Sequence, residues 1–210
     1  MKLIKVCGMK YPQNIQDVIN LQVDYMGFIC YSKSPRYIEH EQANFIKELP
    51  IAKVGVFVNA PLPEILAAVA TYGFQTIQLH GQETAADCAA IRGEGLQVFK
   101  AFGIDDTFDW NQLKAYEGQV DSLLFDTKSA AHGGTGQTFD WNLLSQYPLT
   151  TPYFLSGGLR IENIQQALQL QDTRFIGLDL NSRFELHPAV KDIKLLENTL
   201  KIIRDEQVSS

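Results

Sequence analysis

The sequence predicts an α/β protein built as a single-domain (β/α)8 barrel, the TIM-barrel architecture with a parallel eight-stranded core. Three observations carry this. Short apolar runs alternate with stretches of helical periodicity about eight times along the 210 residues. The runs are continuously apolar, as strands buried on both faces require. No linker, low-complexity stretch or charge block divides the chain, so one domain over residues 1–205 is expected, with 206–210 as a frayed tail. An open doubly wound sheet is the competing architecture, but no G-x-G-x-x-G follows the first apolar run.

The elements follow in order. Leu3 to Val6 reads as the first strand. Ile15, Val18 and Ile19 recur at helical spacing after Pro12, a residue tolerated in a first helical turn. Tyr25 to Ile29 is the second strand, and Phe45, Ile46 and Leu49 mark a helical face. The β-branched run Val54 to Val58 is the third strand, after which Pro61 opens a helix containing Ile65, Leu66 and Val69. Thr76 to Leu79, Gln97 to Phe102, Ser122 to Phe125, Tyr153 to Leu155 and Phe175 to Leu180 complete the strands. Helices are expected over Ala85 to Ile91, between Thr107 and Tyr116, over Trp141 to Tyr147 and over Asn163 to Leu170. The last helix places Ile193, Leu196, Leu200 and Ile203 on one face. The polar, glycine-rich stretch Thr127 to Thr138, with Gly133-Gly134-Thr135-Gly136, reads as a lid over the site rather than a nucleotide loop, because no lysine and hydroxyl residue follow the glycines.

Composition narrows the function. The formal net charge is −6 with no basic run, which argues against nucleic acid and against an anionic membrane surface. No window is long and apolar enough for a membrane span. The start, Met1 to Val6, carries lysines without a long apolar core or cleavage site, so a cytoplasmic setting is expected. Cys7, Cys30 and Cys88 form neither a disulfide framework nor a metal-ligand spacing. No His/Asp/Glu cluster suggests a metal, and no cofactor is expected.

Active sites of such barrels lie at the C-terminal ends of the strands. Cys7 stands there after the first strand, where a thiolate is a competent base if nearby positive charge depresses its pKa. A small buried apolar residue is the plain alternative. Asp126 and Asp179 close the sixth and eighth strands in the same manner, and position does not choose between them as acid. Burial would raise the pKa of such a carboxyl and suit it to donate a proton. Arg36 follows Ser34-Pro35, and its planar fork suits a carboxylate or phosphate. Ser156-Gly157-Gly158 precedes a helix start, where close-approaching amides suit a phosphate, or else the glycines serve a tight turn. His80-Gly81 is catalytic, ligating or structural.

These segments, in order from Lys5-Val6-Cys7-Gly8 through Lys33-Ser34-Pro35-Arg36-Tyr37, Gln78-Leu79-His80-Gly81, Phe125-Asp126-Thr127-Lys128 and Ser156-Gly157-Gly158-Leu159 to Lys191-Asp192, resemble the phosphoribosylanthranilate isomerase family of tryptophan biosynthesis. The resemblance implies an Amadori rearrangement of the small-molecule substrate phosphoribosylanthranilate without cofactor or metal. It makes Cys7 the general base, Asp126 the general acid and Arg36 the grip on the anthranilate carboxylate. Gly157, Gly158, Asn181 and Ser182 are expected at the phosphate, with His80, Asp179 and Arg183 as neighbours. A monomer or homodimer is compatible with it. After the eighth strand the chain departs from the family pattern, with Arg183 and Ala189 where glycines are expected. Arg183 then either adds charge to the phosphate site or points into solvent. Other phosphosugar barrel enzymes are the runner-up; an indole-forming synthase would use a lysine acid, for which Lys100 and Lys128 are available. A non-catalytic phosphosugar-binding barrel is the third reading.

Overall fold

The computed structural model describes residues 2–128 and 138–209, so the lid expected at Gly133 to Gly136 lies outside the described residues. Eight parallel strands close into one barrel in chain order. They are β1 (Leu3–Cys7), β2 (Tyr25–Ile29), β3 (Ala52–Phe57), β4 (Thr76–Leu79), β5 (Gln97–Ile104), β6 (Ser122–Thr127), β7 (Tyr153–Leu155) and β8 (Phe175–Leu180). The crossover helices are α1 (Pro12–Asn20), α2 (Ala43–Lys47), α3 (Leu62–Tyr72), α4 (Ala85–Gly93) and α5 (Ile161–Leu168), and α6 (Ile193–Ser209) follows the last strand.

Alternation along the strands makes two apolar layers. Val54, Val56, Phe99, Ala101, Leu124 and Phe154 fill the barrel interior beneath Cys7. The opposite faces, with Val6, Met26, Phe28 and Leu123, pack under the helices beside Ile15, Val18 and Leu200. Most strand positions are thus apolar on both faces, which is why the runs in the sequence are nearly continuous.

Local chemistry sets the helix ends. Thr84 caps α4 by accepting from the Asp87 amide, while Asp87 returns the bond to the Thr84 amide. Gly73 ends α3 in the left-handed conformation that glycine adopts without steric cost.

Two expected helices are instead tight 3-10 turns, Trp110–Tyr116 and Trp141–Gln146. Both begin with Asp-Trp-Asn, and in both the aspartate accepts from the amide two residues on, Asp109 from Asn111 and Asp140 from Asn142. That bond ties down one amide, as at an ordinary helix N-cap, and the segments that follow stay 3-10. The final helix continues to Ser209, past the break expected after residue 205. Asp205, Glu206 and Gln207 include no helix breaker, and Glu206 accepts from Gln169 at 2.7 Å.

The sequence reading also lacked a small antiparallel hairpin, β9 (Glu185–His187) with β10 (Val190–Lys191), which folds over the end of β8.

Candidate active site

The mouth of the barrel at the strand ends gathers the expected side chains into two groups. On one side lie Cys7, Arg36 and Asn181; on the other lie Asp126, His80 and Gly157.

Cys7 ends β1 in register with Gly27 of β2, and only 4% of it is exposed. A Cβ on Gly27 would stand 2.6 Å from the Cys7 Sγ, so that glycine makes the room for the sulfur. Burial pushes the thiol pKa up, and the same direction is favoured by Asp179; Lys5 and Lys191 oppose it. Positive charge beside a thiol depresses its pKa. The charge is present, but burial outweighs it, and the net push on the thiol pKa is upward.

The two aspartates part company. Asp179 is 5% exposed and accepts from the Lys5 Nζ at 2.9 Å. Asp126 is not the buried carboxyl the sequence reading expected: its side chain is 27% exposed. One oxygen accepts from the Thr127 amide at 2.7 Å, and the other lies 3.4 Å from His80 Nε2. Strand β6 runs on through Asp126 to Thr127, which aims this carboxylate along the mouth rather than into the wall. Asp126 is therefore the carboxylate open to a ligand, while Asp179 is committed to Lys5.

Arg36 lies over Gly8, whose φ is +79°; a Cβ there would meet Arg36 Cδ at 2.6 Å and Asn181 Oδ1 at 2.8 Å. Its fork is already occupied on one edge. Nε and Nη2 donate to Glu185 of β9 at 2.9 and 2.6 Å. Glu185 also accepts from Lys191 Nζ at 2.7 Å and from the Ala189 amide at 3.1 Å. Burial pushes the Glu185 carboxyl up, but Arg36 and Lys191 together hold it below the usual range. Arg36 therefore offers a ligand its Nη1 side, held in place by a buried carboxylate.

Gly157 and Gly158 follow β7 with φ of +78° and +64°. A Cβ on Gly157 would overlap the Asp126 carboxylate and the Thr127 amide, so this glycine makes room for that carboxylate. The turn is locked by Asn163, whose side chain donates to the Gly158 carbonyl at 3.1 Å and accepts from the Arg160 amide at 2.9 Å. Asn181 accepts from Lys191 Nζ at 2.8 Å. Ser182 and Arg183 begin a 3-10 turn, and Arg183 is exposed. Ala189, buried, takes φ +70°, so the position where a glycine was expected keeps the backbone that glycine favours.

Lys100 does not offer acid chemistry to the mouth. It leaves β5 on the face opposite Phe99 and Ala101 and pairs with Glu83 at 3.2 Å. Lys128 pairs with Asp105. Glu83 accepts from the Asn59 and Gly81 amides, which pins the loop carrying His80. Among the described residues no group of three His, Cys, Asp or Glu is placed to hold a metal, and no helix is long and apolar enough to cross a membrane.

Lys5 and Glu185 were missed as site residues by the sequence reading. Lys5 left a trace, being a lysine inside an apolar strand two positions before a cysteine. Glu185 stands in the stretch compared with the family pattern, but nothing local names its partner Arg36, 149 residues away.

The family model described as "N-(5'phosphoribosyl)anthranilate (PRA) isomerase" matches residues 4–202. The N-(5'-phosphoribosyl)anthranilate isomerase of Parabacteroides distasonis is 42% identical over 205 residues, spanning 96% of this chain and 93% of that one. Its counterpart from Phocaeicola vulgatus is 42% identical over 190 residues, spanning 90% and 92%. Among solved structures, the phosphoribosyl anthranilate isomerase of Thermotoga maritima superposes with a TM-score of 0.83 at 31% identity, covering 98% of this chain and all of that one (100%). A phosphoribosyl anthranilate isomerase solved with reduced 1-(o-carboxyphenylamino)-1-deoxyribulose 5-phosphate gives 0.81 at 30% identity, covering 98% and 100%.

Proposed function

The chain belongs to the N-(5'-phosphoribosyl)anthranilate isomerase family, and on that premise we propose that it converts phosphoribosylanthranilate to 1-(2-carboxyphenylamino)-1-deoxyribulose 5-phosphate in tryptophan biosynthesis, with Asp126 as general acid and Cys7 as general base. The observation that carries the reading is the contrast between the two strand ends. Asp126 is half-open and unpaired with any lysine or arginine among the bonds described above, while Cys7 is buried beside Lys5. The two proton-transfer groups thus face one mouth from opposite sides, as taking a proton from one atom of a ligand and delivering one to another requires.

In the reaction, Asp126 gives its proton to the furanose ring oxygen as the bond from that oxygen to C1 breaks and the anilino nitrogen forms a Schiff base. The Cys7 thiolate takes the proton from C2, and the electron pair moves into the C1–C2 bond to give an enolamine. The enol oxygen then loses its proton to water as C1 gains one, which gives the ketone, and proton exchange with water returns Asp126 to the acid and Cys7 to the thiolate, so atoms and charge balance over the turnover. The Nη1 side of Arg36 meets the anthranilate carboxylate. The Gly157-Gly158 amides, with Asn181 and Ser182, bind the phosphate at the far end.

Complementation of a tryptophan auxotroph lacking this isomerase tests the function; a folded, expressed wild type that fails to restore growth rejects it. Asp126→Asn and Cys7→Ser are each expected to lower kcat by about two orders of magnitude or more, in line with the ~10²–10⁴-fold of general acid–base groups. Near-normal turnover in either variant removes that residue from its role.

A further inference from the structure

A lysine fully buried inside a barrel demands a reason. Lys5 has 0% of its surface exposed, and taking an ammonium out of water costs several kcal/mol. Its neighbour in the β1–β8 register is Asp179, and the two make a buried ion pair at 2.9 Å. Stability alone does not explain this choice, because an apolar pair of similar volume would hold two strands together at least as well. Lys5 stands two residues before Cys7, so both side chains leave the same face of β1. Of the cations that act on the Cys7 sulfur, Lys5 acts most strongly, ahead of Lys191.

We propose that Lys5 is a positioning residue for the isomerisation: its ammonium, lying between Asp179 and Cys7, offsets part of what burial costs the charged sulfur, so that the thiolate that acts as base can form, and Asp179 sets how much of that positive charge the sulfur receives. The inference rests on Cys7 being the base.

The groups facing the sulfur divide by sign. Lys5 of β1, Lys191 of β10 and Arg36 after β2 favour the thiolate, and Asp179 of β8 opposes it. Across the mouth, Asp126 and His80 bear on Asp179, so the charge state of the acid side reaches the base side through this pair. Burial works against the Lys5 ammonium, but Asp179 and Cys7 outweigh it, and Lys5 stays charged through the neutral range. Asp179 draws the ammonium back when no negative sulfur is present.

The test reads the thiol directly. In full-length protein carrying Cys30→Ser and Cys88→Ser, ultraviolet thiolate absorbance is followed against pH, with Cys7→Ser as the blank. Lys5→Met is expected to move the Cys7 titration up by about one pH unit or more, a tenfold loss of thiolate at fixed pH, and to lower kcat by a similar factor. Asp179→Asn is expected to move the titration down. Lys5→Arg is expected to restore most of the wild-type midpoint. A packing role alone would not shift the thiol in opposite directions in the two variants. If Lys5→Met does not fold with Asp179 left unpaired, Lys5→Met/Asp179→Asn removes both charges, and its thiol is expected above wild type because Lys5 outweighs Asp179 at the sulfur. A wild-type titration in the variant that folds overturns the proposal; if Cys7→Ser is meanwhile inactive, the fault lies with Lys5 alone. A shifted thiol with unchanged turnover overturns it through the base assignment instead.

Discussion

Gly27 contributes to the site by what it lacks. Any side chain there meets the Cys7 sulfur at 2.6 Å and the Cys7 Cα at 3.1 Å. Gly27→Ala is therefore expected to displace the thiol and lower kcat about tenfold or more, which steady-state kinetics and a crystal structure of the variant would show. Glu185 holds Arg36 in the same indirect way. Glu185→Gln is expected to raise KM for the aryl substrate by about tenfold while changing kcat less, because the loss falls on binding rather than on proton transfer. It also has a pH consequence. The folded carboxyl ionises below the ordinary glutamate range despite burial, so its contribution to stability is present above that range and fades as pH falls toward the folded value. Urea unfolding from pH 7 down to 3 should show the wild type losing part of its margin over Glu185→Gln on acidification. Ala189 stores a small strain. A left-handed alanine costs ~1 kcal/mol, and a β-branched residue more, so Ala189→Val is expected to cost ~2 kcal/mol or more by urea midpoint.

At the level of elements, the paired Asp-Trp-Asn turns do the work of two crossover helices. Each aspartate ties down one amide and starts a turn that buries a tryptophan, Trp110 or Trp141, against the barrel. Asp140→Ala should cost ~1 kcal/mol, the usual loss for such a cap, measured as a shift in urea midpoint. These turns also mark where the sequence was legible and where it was not. Tyr25–Ile29, Thr76–Leu79, Tyr153–Leu155 and Phe175–Leu180 could be delimited from their runs because a strand buried on both faces is mostly apolar from end to end. Trp110 and Leu113 stand three apart, a spacing that fits a 3-10 turn as well as an α-helix, so periodicity alone does not separate them. The β9–β10 hairpin escaped because Leu186 and His187 are exposed and Ala189 conceals a positive φ that glycine would have announced.

For the molecule as a whole, the gathering of side chains at the mouth was legible wherever they close a strand or share one short segment, as at Cys7, Asp126 and Gly157-Gly158. It was illegible wherever a contact depends on which strands meet. Lys5 and Asp179 are 174 residues apart, and nothing local in either segment names the other. The same long-range closure governs stability. Helix α6 covers the seam with Leu196, Leu200 and Ile203, and Arg204 donates to the Gln22 carbonyl at 3.0 Å. Ending the chain before Ile193 is expected to abolish cooperative unfolding and near-ultraviolet circular dichroism, because it leaves the apolar faces of α1 and α5 bare.

The β1–β8 pairing reaches beyond the finished enzyme to its birth on the ribosome. Strand β1 is made first, yet one of its two flanking strands is Phe175–Leu180, near the end of translation. Until then Lys5 waits without its counter-ion, and the thiol two residues away is unprotected. A message cut short before Phe175 would yield a chain bearing Cys7, Arg36, His80 and Asp126 but no enclosed pocket for them to act in. Catalytic competence thus arrives late and all at once, and no half-made product can turn over substrate while the rest is still being synthesised.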